Sequence, residues 1–173
     1  MRGMLVTLVA VALVGLIGSW SPGRSAAAGA ETAGAATSLQ VPPRTIVLFG
    51  HARSLARKGG RWELRLDPAA FLVGVTARRA AVEDGALPPG EPVPNDYYIR
   101  DEGHKLLTYL VVPTARITVL TRGIRATRVS VAELALILRG KNPAGRKLFA
   151  PRNGFWVAVT GDRVRSMDQQ YTP

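Results

Sequence analysis

Ser130-Val131-Ala132-Glu133-Leu134-Ala135-Leu136-Ile137-Leu138 is the stretch that decides how the chain folds. A serine with a glutamate three residues on, ahead of an apolar run, is a capping box. The hydroxyl accepts from the third amide, and the carboxylate reaches back. The spacing predicts a helix over Val131–Leu138 that stops at Gly140, with Leu134, Ile137 and Leu138 on its packed face. The sequence around it reads mainly as β structure, so the helix's place among the strands sets the architecture.

Upstream, Thr45-Ile46-Val47-Leu48-Phe49 is β-branched and aromatic, as strands are. Gly50 marks a bulge or a barrel bend, beyond which the strand continues to about Arg57. Lys58-Gly59-Gly60 is a turn. Arg61–Asp67 alternates strictly, with Trp62, Leu64 and Leu66 on one face, so the two segments form a hairpin. Pro68 ends its second strand. Thr76 is the expected cap of a short helix, Ala77–Glu83, stopped by Asp84-Gly85. Pro88, Pro89, Pro92 and Pro94 then rule out regular structure. Leu106–Val112 and Arg116–Thr121 read as strands, with Pro113-Thr114 as a turn or as a bend in one long strand. Arg122–Arg128 reads as a basic connection.

Downstream, Lys141–Asn153 is a basic loop. Gly154–Thr160 is a strand, Gly161-Asp162 a tight turn, and Arg163 to about Gln170 the last strand. Hairpin, third strand, helix and closing hairpin is the order of a small OB-like five-stranded barrel. The expected fold is mainly β with one or two helices, the main helix lying between the third and fourth strands. A two-sheet β-sandwich is the alternative. Residues 44–173 make one domain on this reading.

Met1-Arg2-Gly3, the uncharged apolar run Leu5–Ile17 and the small residues around Ala26–Ala30 have the layout of a secretory signal peptide over residues 1–30. An uncleaved N-terminal anchor is the alternative. Residues 31–43 read as a flexible lead-in. The chain of 173 residues has no cysteine, which excludes disulfides, thiolate catalysis, cysteine-ligated zinc and a cysteine-linked lipid anchor. The formal charge is +11, and residues 1–30 hold two arginines and no acid, which leaves +9 on the rest. Such a field favours anionic polymers or surfaces.

Three blocks occur together: Val93-Pro-Asn-Asp-Tyr-Tyr-Ile-Arg-Asp-Glu102, Val129-Ser-Val-Ala-Glu-Leu134, and Gly154-Phe-Trp-Val-Ala-Val-Thr-Gly-Asp-Arg-Val-Arg-Ser-Met-Asp-Gln-Gln-Tyr171. Over roughly Thr45–Pro173 the chain resembles a group of secreted or lipid-anchored actinobacterial proteins to which no function is assigned. The resemblance implies an extracytoplasmic protein and transfers no catalytic residue. The group's lipid-anchoring cysteine is missing here, which implies a freely secreted or envelope-associated protein.

Candidate sites fall in two places. Pro94–His104 is the densest run of aromatic and ionisable side chains. Its extended backbone sends Tyr97 and Tyr98 to opposite faces, one into the core and one into water. An exposed tyrosine near Arg100 and Arg65 is a candidate stacking platform for a sugar or base. Asp101 and His104 have metal-ligand chemistry, although a polar turn is the simpler reading and no metal or other cofactor is expected. Asp96, Asp101 and Glu102 support the alternative of a hydrolase acting on an envelope polymer. The second place is basic: Arg122, Arg125, Arg128, Arg146 and Lys147 lie on two segments flanking the helix and are expected to converge on one patch. No serine sits in a nucleophile elbow. The expected function is a non-enzymatic binding or structural module that contacts an anionic cell-envelope polymer or lipid surface, with no specific nucleic acid as partner.

Overall fold

Strand β1 (Thr45–Lys58) serves two partners in succession. In the computed structural model, which describes residues 43–173 except Glu102 and His104, Thr45–Gly50 pairs antiparallel with β7 (Phe155–Thr160). Gly50–Lys58 pairs antiparallel with β2 (Arg61–Pro68), with a register shift between Ala52 and Ser54. Gly50 is the changeover and faces both Pro68 and Phe155. A Cβ there would lie 2.4 Å from the carbonyl oxygen of Asp67, so only glycine permits this approach.

The other pairings close the ring. Strand β8 (Arg163–Gln169) runs antiparallel to β7 and parallel to β5 (Leu107–Thr121), and β5 pairs antiparallel with β2. Taken in chain order, the ring strands β1, β2, β5, β7 and β8 are joined first-second-third-fifth-fourth, the order of an OB-type barrel. The β2–β5 pairing makes this a closed barrel and not the two-sheet sandwich. Helix α2 (Val131–Leu138) lies between the third and fourth ring strands, as its sequence position implies. It packs against β1 and β5.

Helix α2 and the strands share one core. Leu55, Leu64, Leu66, Val111, Ile117, Val119, Val157, Val164 and Met167 point inward, and α2 adds Val131, Leu134, Ala135 and Ile137. Val164 and Met167 are an odd number of residues apart, yet both are fully buried. The register of β7 against β8 jumps from Ala158↔Ser166 to Val159↔Val164, so Arg165 is an extra residue that flips the alternation. Pro113-Thr114 proves to be a bend within one long β5.

Several expectations need correction. Arg125–Val129 is a strand, β6, hairpinned onto β5, and not part of a loop. Its arginines point to solvent while Val129 is buried and Thr127 bonds Thr121 at 3.2 Å. Charge on an exposed strand face does not oppose pairing. Ala70–Val73 forms an unexpected strand, β3, paired with β4 (Tyr97–Arg100) in a separate two-stranded sheet. The first helix, α1 (Gly74–Glu83), starts three residues earlier than expected and has no side-chain cap. The Thr76 hydroxyl donates to the Val73 carbonyl instead. Ser130 does accept from the Glu133 amide at 3.1 Å, but the Glu133 carboxylate accepts from Arg146 at 2.8 Å in place of reaching back. No helix among the described residues is long and apolar enough to cross a membrane. The expected signal peptide and the lead-in up to residue 42 lie outside the described residues.

Candidate functional site

The aromatic and acidic run splits between β4 and its flanks. Arg100 donates to both Asp84 oxygens (2.9 and 2.7 Å), to Glu83 (3.1 Å) and to the Ala80 carbonyl (3.0 Å). Tyr98 donates its hydroxyl to Asp84 at 3.1 Å. Hydrogen bonds from Arg79 and Arg100 hold Glu83 below the usual carboxylate range, and those from Arg100 do the same for Asp84. Burial, then the bond to Asp84, pushes the Tyr98 phenol up, and the two acids keep Arg100 charged. These groups lash α1 to β4. Tyr97 stacks on Phe71, centroids 4.9 Å apart and rings 11° from parallel, and Phe71 in turn meets Phe49 and Trp156.

Both tyrosines are therefore half-buried, and the expected split into one core and one wet ring does not occur. With Val93, Pro94, Leu87 and Ile99 they line an apolar hollow of about 350 Å³. Arg65 is exposed on β2, in the barrel sheet, whereas both tyrosines belong to the separate two-stranded sheet. Asp101 accepts from the Gly103 amide at 3.2 Å and lies 4.0 Å from Arg53. Asp96 and Asp101 flank β4, which at a strand's rise places them about 16 Å apart along the chain. Glycosidase carboxyl pairs stand about 5–9.5 Å apart. Glu102 and His104 lie outside the described residues. Among those described, no three acidic or histidine side chains gather as metal ligands would.

The basic segments do converge. The β5–β6 turn passes through Gly123 and Ile124, both with positive φ. The loop after α2 returns beside this turn. The Arg122 amide donates to the Lys147 carbonyl (2.7 Å) and the Phe149 amide to the Leu120 carbonyl (2.8 Å). Gln169, buried at the end of β8, holds the junction from inside. Its side-chain oxygen accepts from the Leu120 amide at 2.8 Å, and its nitrogen donates to the Phe149 and Ala150 carbonyls at 2.9 and 2.7 Å. Glu133 fixes the Arg146 guanidinium, and Asn142 accepts from the Arg146 amide at 3.0 Å.

Arg122, Arg125, Arg146 and Lys147, with Thr121, Gly123 and Thr127, consequently line one shallow depression of about 590 Å³. Among the described residues Arg122, Arg125 and Lys147 make no ion pair, whereas Arg146 is matched by Glu133. Arg128 alternates to the opposite face of β6 and does not line the depression. The sequence pointed to the cations. It did not point to Gln169, an isolated amide beyond a bulge, nor to the exchange of Glu133 from capping to pairing.

Fold and surface together define an OB-type barrel with an open, cationic depression built by the β5–β6 hairpin and the loop after α2. No family model, curated protein or solved structure matches the chain.

Proposed function

We propose that this protein is a secreted, non-catalytic module of the cell envelope that binds an anionic polymer through the Arg122–Lys147 depression. The observation that carries the reading is the convergence of Arg122, Arg125, Arg146 and Lys147 from two chain segments into one concavity. Three of the four cations have no acidic partner among the described residues, so their charge is available to a ligand. The depression is open, which suits a chain lying across it better than a small molecule enclosed by it. The backbone bonds and the Gln169 clamp fix the two segments that carry the cations before a ligand arrives, which reduces the ordering cost of binding. The layout of residues 1–30 supports export, and the absence of cysteine from the chain means that any attachment to the envelope is non-covalent at sulfur.

The test is sedimentation of the full chain with a teichoic-type poly(glycerol phosphate), or with vesicles of anionic lipid, across a salt series. Binding to the polymer that falls with salt, and falls further in Arg122→Ala/Lys147→Ala, supports the reading. Binding that this double variant shares with the parent refutes it, and preference for vesicles moves the partner to a lipid surface.

A further inference from the structure

The barrel has a second concavity, toward the other end of β5, that the sequence reading passed over as a plain hairpin turn. Its residues come from three places. Arg57 and Arg61 flank the β1–β2 turn, Trp62 follows on β2, Val112 and Pro113 belong to β5, and Arg163 opens β8. Pairing registers bring them together. Arg57 faces Trp62, Trp62 faces Val111, and Val111 faces Val164. Directly paired residues share a face of the sheet. Val111 and Val164 are buried in the barrel core, so Arg57 and Trp62 occupy positions on the inward face, where that core meets solvent.

Strand β5 makes room there. Its pairing with β8 jumps from Val111↔Val164 to Arg116↔Ser166, so residues 112–115 leave the ladder. The result is a hollow of about 370 Å³, bounded by an indole and aliphatic side chains and rimmed by three arginines. Among the described residues Arg57, Arg61 and Arg163 make no ion pair, and Arg57 only touches the Gly60 carbonyl at 3.3 Å. Arg61 and Arg163, the exposed neighbours of inward-facing Trp62 and Val164, stand at the rim, where their charge is open to an anion.

We infer that this barrel mouth is a binding site for a saccharide unit carrying an anionic group, carboxylate or phosphate, with the sugar ring against Trp62 and the anion on Arg61 and Arg163. Guanidinium forks match both oxyanions bidentately. The volume is at the small end of ligand sites and suits one or two rings. A single-stranded nucleic acid is disfavoured, because such strands are held by successive bases stacked on several aromatic faces, and among the described residues Trp62 is the one aromatic side chain lining this hollow. The site is separate from the Arg122–Lys147 depression and does not depend on its role.

Tryptophan emission of the full chain reports on the site directly. Titrate with trigalacturonate and with maltose 1-phosphate, against maltotriose, maltose and hexathymidylate, and repeat each titration in Trp156→Phe to leave Trp62 as the reporter within the barrel. The expected result is a saturable emission change with at least one charged saccharide, retained in Trp156→Phe and in Arg122→Ala/Lys147→Ala. Affinity should drop roughly tenfold or more in Arg61→Ala/Arg163→Ala, the loss of about 1.4 kcal/mol. The two charged sugars separate carboxylate from phosphate recognition. No saturable change with either, equal response to the neutral sugars, tighter binding of hexathymidylate, or indifference to the arginine substitutions overturns the inference. Urea midpoints of the arginine variants check that the fold is intact.

Discussion

Replacing Gln169 with alanine tests the device that builds the cationic depression. The side chain makes three hydrogen bonds from a buried position, one accepted from the Leu120 amide and two donated to the Phe149 and Ala150 carbonyls. Leu120 is itself buried, so its orphaned N–H costs about 1–3 kcal/mol. The two carbonyls belong to a loop that water can reach, and each contributes nearer 0.5–1 kcal/mol. The sum is about 3 kcal/mol. With a urea slope of about 2 kcal/mol/M, the unfolding midpoint should fall by about 1.5 M. Two backbone bonds, Arg122 to Lys147 and Phe149 to Leu120, remain to hold the loop, so the barrel should still fold. Loosening should appear as faster amide exchange at Leu120 and Phe149 and as weaker polymer binding. Gln169→Glu keeps the acceptor for Leu120 but turns a carboxylate toward two carbonyls, and should be at least as damaging. A midpoint shift under about 0.3 M with unchanged exchange would refute the assignment of Gln169 as the clamp.

Other consequences follow from close approaches and charge. Gly154→Ala would place a Cβ 2.2 Å from the Phe49 ring, and overpacking of this kind should cost about 1–3 kcal/mol in urea unfolding. Gly50→Ala meets the Asp67 backbone at 2.4 Å, which cannot rotate away, and should be the worse of the two, at about 3 kcal/mol or more. Arg53→Ala removes the guanidinium that bonds the buried Asp67 carboxylate at 2.8 and 2.6 Å, and should lower stability by about 1–3 kcal/mol at neutral pH. Glu83 and Asp84 are held below their ordinary values, so their contribution is present above about pH 4 and is lost as pH falls through their folded-state values. Amide protection in α1 and β4, taken relative to the intrinsic exchange rate at each pH, should therefore fall in acid in the parent, and Arg100→Met should show that lower protection already at neutral pH.

The barrel was legible because its inward positions are written plainly. Trp62, Leu64 and Leu66 alternate without interruption, and the Ser130 cap fixes where α2 begins. Gly50 was readable as a bend, though only the two registers meeting there explain why it must be glycine. The elements that escaped have weak local signals. Strand β3 is a four-residue run, and its partner β4 lies beyond a proline-rich loop, so its pairing is a long-range fact. Strand β6 was hidden by its two arginines, both exposed, which gave the segment the look of a basic loop. In the sites the pattern is similar. The basic cluster of Arg122, Arg125, Arg146 and Lys147 was visible as composition, and the assignment of Arg128 to it failed on strand alternation. Arg100 and Tyr98 looked like ligand contacts, but they lash α1 to β4 through Asp84, a residue read only as a helix stop. The barrel mouth was invisible because Arg57, Arg61 and Arg163 are spread over more than half of the domain.

The most direct test of the central claim is the salt dependence of polymer binding. Affinity of the full chain for poly(glycerol phosphate) should be measured between about 50 and 200 mM salt. With three cations at the depression that have no acidic partner among the described residues, each releasing roughly 0.7–0.9 counterion, the slope of log K against log salt should be about −2 to −3. Arg122→Ala/Lys147→Ala should reduce its magnitude to about 1, while Arg128→Ala, outside the depression, should leave it nearly unchanged. A slope near zero, or one that Arg128→Ala reduces as much as Arg122→Ala/Lys147→Ala does, would contradict the account.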